Sequence, residues 1–215
     1  MSTGAAAAHP NIAFIKYWGN RDHRLRIPSN GSISMNLEGL ETQTTVNFDR
    51  LLKEDMLLWD EKNQKGNTLK RVATVLEKVR ALSGESRFAI VESHNNFPAG
   101  TGIASSASAF AALSLAASCA AGLNLNEAEL SRIARLGSGS ACRSVPAGFV
   151  EWQAGHDDFT SYAFSIAPAD HWNLADCIAV ISKSHKTTSS QEGHALADSS
   201  QFQPVRIANA LDRLD

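Results

Sequence analysis

The chain has 215 residues, a length that suits one domain and suits two only if both are small. Apolar residues make up 43% and charged residues 20%, which excludes global disorder, a collagen-like repeat and a coiled coil. Twenty Lys and Arg against 22 Asp and Glu leave a formal charge of −2, which disfavours nucleic-acid binding driven by net charge.

No apolar run reaches the roughly 18 residues of a membrane span. Residues Met1 to Pro10 carry no Lys or Arg and only four consecutive alanines, unlike a secretory signal. Cys119, Cys142 and Cys177 are too few and too scattered for a disulfide framework or a zinc site. Free thiols in a reducing cytoplasm are the expectation.

In chain order, Asn11–Trp18 reads as a strand, apolar and aromatic apart from Lys16. Gln43–Phe48 alternates and predicts another strand, and Leu57–Trp59 a short one before a polar turn, Asp60–Asn67. Thr68–Leu82 places Leu69, Val72, Val75, Leu76 and Val79 on one helical stripe, with Gly84 as its stop. Arg87–Ser93 is a strand, and Ala104–Leu123 a helix apolar on nearly every side. Asn126 with Glu129 makes a capping box for a helix to about Leu136. Phe149–Gln153, Thr160–Ile166 and Cys177–Ile181 read as strands, and Ser189–Asp215 as two helical pieces broken near Pro204. The lack of a regular βαβ alternation predicts a mixed α+β domain.

Three segments carry possible chemistry. In Asn96–Ser108 a strand leads through Gly100 and Gly102 into a helix opened by Ser105, Ser106 and Ser108. Backbone N–H groups there, with the helix dipole, suit phosphate, and the hydroxyls suit phosphate or magnesium. Without Gly-Lys-Ser/Thr it is no Walker loop, and a serine-capped turn over a core helix fits equally. Gly137–Ser144 combines glycines, serines and Arg143, whose fork matches a carboxylate or phosphate; a polar surface loop is the alternative. Lys16 either needs a buried anionic partner or snorkels from an edge strand. The histidines, His185 and His194 included, show no metal-ligand spacing.

Together these segments resemble the GHMP kinase superfamily and, within it, the mevalonate diphosphate decarboxylase family. The resemblance rests on Asn11-Ile-Ala-Phe-Ile-Lys-Tyr-Trp-Gly19, Asn30-Gly-Ser-Ile-Ser34, Asn96-Phe-Pro98 and Gly102-Ile-Ala-Ser-Ser-Ala107. It is densest at Glu129–Arg135 and Gly137–Ser144, and closes on Ser189, Ser190 and Gly193. It implies an α+β fold: a GHMP-type N-terminal domain, ribosomal protein S5 domain 2-like, over 1–175. Residues 176–215 would be the truncated start of a ferredoxin-like domain, mobile or docked on a second chain.

The implied activity is ATP- and Mg2+-dependent phosphorylation of a tertiary 3-hydroxyl on a mevalonate phosphate, then loss of phosphate and carbon dioxide. ATP would be held by Asn96, Gly100, Gly102, Ser105, Ser106 and Ser108. Lys16, Ser140 and Arg143 would be catalytic, and Tyr17, Asn20, Ser138, Ser189 and Ser190 would meet the substrate. A homodimer is implied, with no nucleic-acid or membrane partner.

Two departures qualify this. The family has Lys where this chain has Asn20, which opens a monophosphate-specific decarboxylase as an alternative. The family also carries an Asp near the 3-hydroxyl in a later Gly-rich segment, to which no residue here corresponds. A GHMP kinase without decarboxylation and an inactive nucleotide-binding fragment are the further alternatives.

Overall fold

The computed structural model describes residues 2–98, 102–179 and 190–214. Its strands are β1 (Ser2–Ala8), β2 (Asn11–Ile15), β3 (Asn20–Asp22), β4 (Ile27–Pro28), β5 (Ser32–Asn36), β6 (Thr42–Asp49), β7 (Met56–Trp59), β8 (Lys62–Gln64), β9 (Phe88–Asn95), β10 (Phe149–Trp152) and β11 (Ala163–Ala167). The helices are α1 (Gly66–Ser83), α2 (Ser105–Ala120), α3 (Glu127–Gly137), α4 (Ser190–Ala197) and α5 (Gln203–Leu211), with a 3-10 turn at Gly139–Ser144. One sheet runs β1-β6-β9-β7-β8, a second β11-β10-β5-β2, and β3 pairs with β4 as a separate hairpin. Among the described strand pairs only β7 against β9 is parallel.

The first sheet buries one face under α1 and α2, and α3 packs against those two helices. Along β6, Thr42, Thr44, Val46 and Phe48 point inward, and β9 opposes them with Asn95, Ser93, Val91 and Ala89. This period of two gives the inner face a gradient. Its apolar half joins Val75, Leu76, Val79, Leu113 and Ile133 in the main core. Its polar half is tied by hydrogen bonds, Thr42 Oγ1 to Asn95 Oδ1 at 2.7 Å and Thr44 Oγ1 with Ser93 Oγ at 2.9 Å, while Asn95 Nδ2 has no partner among the described residues. Hydroxyl pairs that satisfy one another avoid the cost of stranded buried polar atoms.

The three central helices follow the expected signals. In α1, Val72, Val75, Leu76 and Val79 are buried, and Gly84, at φ +75°, donates its N–H to Arg80 O. The Asn126–Glu129 capping box opens α3, and α2 is buried on nearly all sides. Such a helix needs small side chains: a Cβ on Gly4 of β1 would lie 2.3 Å from Ala116 O.

Several elements differ from expectation. The alanine run forms β1, paired with β6 from Ser2↔Phe48 to Ala8↔Thr42. Alanine has poor strand propensity, but only small side chains fit under α2. The expected polar turn 60–67 contains β8, because Asp60 and Glu61 take φ of +46° and +64°, the left-handed pair that closes a two-residue hairpin. β5 was hidden by its buried serines. The strand expected over 160–166 is shifted to 163–167, since Thr160 is held in a turn by Asp157. Of the strand expected at 177–181, residues 177–179 are not in a strand, and the rest lies outside the described residues. The helical break falls at 198–202, and Pro204 sits in the first turn of α5, where its missing N–H costs nothing.

The expectation that the last residues are mobile or need a second chain is corrected. Gln203 Nε2 donates to Trp18 O at 3.0 Å, and Arg206 Nη2 donates to Trp18 O at 2.6 Å and Asn30 Oδ1 at 2.8 Å. Ala210 is buried. Helices α4 and α5 therefore dock on the turn after β2 of their own chain. No helix among the described residues is long and apolar enough to cross a membrane.

Asp55 anchors the edge of the first sheet. It accepts Arg80 Nη1 and Nη2 at 3.0 and 2.9 Å, and the Ala89 N–H at 2.9 Å. Asp55→Ala leaves a largely buried guanidinium and an amide without partners. It is expected to cost about 3 kcal/mol in equilibrium urea unfolding. A loss under about 1 kcal/mol would show that water replaces the carboxylate.

Candidate active site

Helix α2 starts from a strained loop. Gly102 takes φ +100° and Ala104 φ +52°, so the chain turns sharply before the first turn of the helix. Glycine adopts the first conformation readily; alanine does not, and its strain marks a loop fixed by its surroundings. Beside this N-terminus lies a cavity of about 550 Å³ between α1, α2 and the β7–β8 hairpin. Ser105, Ser106 and Phe110 line it from α2, Thr44 and Ser93 from the sheet, and Arg71 from α1.

The cavity floor joins a second cluster. Ser106 Oγ lies 3.3 Å from Ser138 Oγ, at the exit of α3. The following 3-10 turn carries Ser140, partly exposed, and Arg143, buried at 3% exposure. Arg143 donates from Nε to Ser34 Oγ at 3.1 Å, from Nη1 to Ser32 Oγ at 2.5 Å and from Nη2 to Asn11 Oδ1 at 3.2 Å. All three acceptors are neutral. Of the five N–H donors of a guanidinium, two are left for a ligand.

Tyr17 packs over Gly139, where a Cβ would come within 2.7 Å of its ring. Its ring meets Trp152 edge-on at 4.7 Å and stacks on His194 at 4.1 Å. Its hydroxyl donates to Asn20 Oδ1. His194 Nδ1 accepts the Gly19 N–H at 3.1 Å, and Gly193 sits on the Trp18 ring. Helix α4 thereby covers the Tyr-Trp-Gly turn.

Burial sets the electrostatics. It lowers Arg143, and it lowers Arg71 to about 10 with help from the like charge of Arg26; Arg71 is still charged at neutral pH. Burial raises Tyr17 strongly and pushes the Cys142 thiol up to about 12, so neither is an anion at neutral pH. Among the described residues no His, Cys, Asp and Glu cluster could hold a metal ion by itself.

Most of the expected site residues converge. Ser105 and Ser106 line the cavity, Gly102 lies in the turn before them, Ser138 meets Ser106, and Ser140, Arg143, Tyr17 and Asn20 lie on or around the turn that follows Ser138. Two do different work. Ser108 is fully buried with Oγ 2.6 Å from Thr42 Oγ1, so it braces α2 against the sheet. Asn96 spends its amide on the backbone, accepting from Glu41 N and donating to Gly39 O, and so clamps the loop from behind. Lys16 lies just past β2 with an exposed side chain, which answers the question of a buried partner. Gly100 and Ser189 lie outside the described residues; Ser190 opens α4. The sequence reading missed Arg71, which looked like a solvent-face residue between Leu69 and Val72. It also missed His194, whose only signal is its nearness to Gly193.

A family model, the diphosphomevalonate decarboxylase-like N-terminal domain, matches residues 8–163. The chain belongs to this family. The diphosphomevalonate decarboxylase of Ganoderma lucidum is 40% identical over 87% of the chain and 51% of its own length. This decarboxylase-family chain thus spans about half the length of the curated relatives it matches. The mevalonate diphosphate decarboxylase from Enterococcus faecalis superposes with a TM-score of 0.86 at 39% identity, covering 99% of this chain and 65% of that one. A structure described as MDDEF in complex with MVAPP, AMPPCP and magnesium gives a TM-score of 0.89 at 39% identity, covering 99% and 66%. The expected GHMP-type α+β fold is the observed one.

His194 makes α4 docking pH-sensitive. Burial first, then the charges of Arg26, Arg206 and Arg143, lower its pKa from 6.5 to about 4, against an opposing pull from Asp198. The folded value lies below the unfolded one, so the unfolded chain binds more protons between them. The neutral ring's contribution is full above pH 6.5 and is lost as pH falls towards 4. His194→Phe keeps the stack without the titration. The stability difference between wild type and His194→Phe, from urea midpoints, is expected to fall across that window; a constant difference would refute it.

Proposed function

We propose that this chain is the ATP- and substrate-binding part of a decarboxylase acting on mevalonate 5-diphosphate. The 3-hydroxyl is phosphorylated, and loss of that phosphate with carbon dioxide yields isopentenyl diphosphate. Residues 1–175 are the working domain in this reading, and 176–215 begin the next. One observation carries it: a helix N-terminus opens on a cavity beside desolvated guanidiniums that, among the described residues, pair with no carboxylate. Such a place suits a ligand with several negative groups. The relative that holds MVAPP, AMPPCP and magnesium supports the same ligands here.

The residues present fit that ligand set. Gly102 lets the backbone approach phosphate oxygens, and the first N–H groups of α2 meet them. Ser105 and Ser106 offer hydroxyl oxygens to phosphate or to a magnesium shell. ATP supplies the phosphoryl group that turns a hydroxyl into a good leaving group.

Arg143 presents its two remaining N–H donors to the substrate carboxylate, held rigid by Ser32, Ser34 and Asn11. Ser138 and Ser140 orient the 3-hydroxyl from the neighbouring turn. Lys16, long and exposed at the rim, supplies positive charge at the reacting phosphoryl. Departure of phosphate builds positive charge on the tertiary carbon, and cleavage of the bond to the carboxylate relieves it. Donors fixed beforehand need no reorganisation at that moment. The uncharged Asn20 is the one observation that favours the second reading, a decarboxylase acting on mevalonate 5-phosphate.

Gly102→Val tests the nucleotide part. A β-branched residue resists φ +100° and fills the space next to the phosphates. Calorimetric titration with AMPPCP and Mg2+ is expected to show binding lost with the melting temperature nearly kept; unchanged affinity would overturn the assignment. In the complete protein, Arg143→Lys is expected to lower kcat/KM for carbon dioxide release by about ten- to a hundredfold, since one charge-assisted hydrogen bond is lost. Turnover within twofold of wild type would remove Arg143 from the clamp. A stable 3-phosphate product without carbon dioxide would favour a simple kinase.

A further inference from the structure

Ser34, Ser32 and Asn11 hold the Arg143 guanidinium through hydrogen bonds made in its own plane. Such bonds leave the two faces of a guanidinium to be held by packing. Strand β10 supplies one face: the Arg143 guanidinium carbon lies 5.8 Å from the centre of the Trp152 ring. An aromatic face attracts a cation without taking up an N–H or cancelling the charge, so the remaining donors stay available to a ligand.

The register of the second sheet makes this contact. Trp152 stands opposite Ser32, and Val150 opposite Ser34. Opposite residues share a face of the sheet, so the ring and both serine acceptors of Arg143 lie on one side. The indole is itself fixed. It is fully buried, and its Nε1 donates to Ser161 Oγ at 3.1 Å. Ser161 is equally buried, and its carbonyl accepts Arg135 Nη1. Arg135 also donates to Leu25 O at 2.9 Å and pairs with Asp158. On another side the indole meets Tyr17 edge-on at 4.7 Å, and with Tyr17, Cys142, Val150 and Ala163 it forms a small core apart from the main one.

We propose that Trp152 is a positioning residue that fixes the Arg143 guanidinium for the substrate carboxylate. It touches no substrate atom in this role and acts through Arg143. The proposal rests on the mevalonate phosphate reading above. Three neutral acceptors hold the guanidinium in its plane, and a ring that Ser161 and Tyr17 keep from turning holds its face. The side chain has then lost its freedom before the ligand arrives, and binding has less ordering left to impose.

The test titrates this chain with mevalonate 5-diphosphate by calorimetry, using wild type, Trp152→Leu, Trp152→Phe, Ser161→Ala and Val79→Ala. Val79 is fully buried in the main core, so Val79→Ala lowers the melting temperature away from Trp152. Trp152→Leu is expected to weaken binding about tenfold, and Trp152→Phe, which keeps an aromatic face, to return to within about threefold of wild type. Ser161→Ala keeps the ring but frees it to turn, and is expected to weaken binding by a few-fold. Val79→Ala is expected to bind within about twofold of wild type despite its lower melting temperature. Nitrogen-15 spectra give a readout that core filling would not move. The Arg143 Nε–H resonance, identified by its absence in Arg143→Lys, is expected to lie upfield in wild type and Trp152→Phe and to move downfield in Trp152→Leu as the ring current is lost. Should Trp152→Leu fail to fold, Ser161→Ala decides alone, by its few-fold loss of affinity together with a displaced Arg143 resonance. Affinity that follows melting temperature across all four variants, affinity unchanged by loss of the ring, or an Arg143 resonance that stays in place would each overturn the proposal. Wild type that does not bind mevalonate 5-diphosphate overturns the parent reading and this one with it, and that failure shows before any variant is made.

Discussion

The close packing of α2 against β1 and β6 is the contact on which the rest depends. A helix buried on nearly every side delivers its N-terminus to the interior instead of to solvent. That burial is possible because Gly4 and the alanines of β1 let the strand approach the helix backbone. The N–H groups of the first turn then lie at the polar end of the sheet, where Thr42 bonds Asn95 and Thr44 bonds Ser93. A few methylenes added to β1 would lift the helix and move the whole loop. The dipole of α2 acts in a partly desolvated cavity, where its partial charge is worth more than at a surface.

Among the described residues Arg143, Arg71 and Arg26 form no ion pair with a carboxylate and are held by serine, amide and carbonyl oxygens. Arg80 and Arg135 are instead paired, with Asp55 and Asp158. Neutral acceptors fix a guanidinium in position without spending its charge. The cost is a local loss of stability, in keeping with strain collecting at binding sites.

Tyr17 couples the two halves of the site to the last helices. It touches Gly139 below, Trp152 at its edge, His194 above and Asn20 through its hydroxyl. Covering that turn with α4 and α5 removes water from the aromatic stack and lowers the pKa of His194. The same docking uses Arg206 and Gln203 to satisfy the Trp18 carbonyl, a backbone acceptor that the irregular turn after β2 would otherwise leave unpaired.

Much of this was legible in the residues. The stripe Leu69–Val79, the Asn126 capping box and the run of small residues through α2 are local patterns, so their elements follow from short-range sterics and hydrogen bonding. The glycine- and serine-rich segments before α2 and after α3 stood out locally, but their spacing alone left a serine-capped turn and a polar surface loop open. What only the tertiary structure decided are the properties that depend on distant partners. An alanine run becomes β1 because α2 leaves room for nothing larger. Ser32 and Ser34 are buried because a guanidinium from more than a hundred positions away needs acceptors. Ser108 and Asn96 become braces, Arg71 lines the cavity beside α2, and His194 stacks on Tyr17. A side chain's direction and the charges it meets are set by packing between segments far apart in the chain, and no local pattern encodes them.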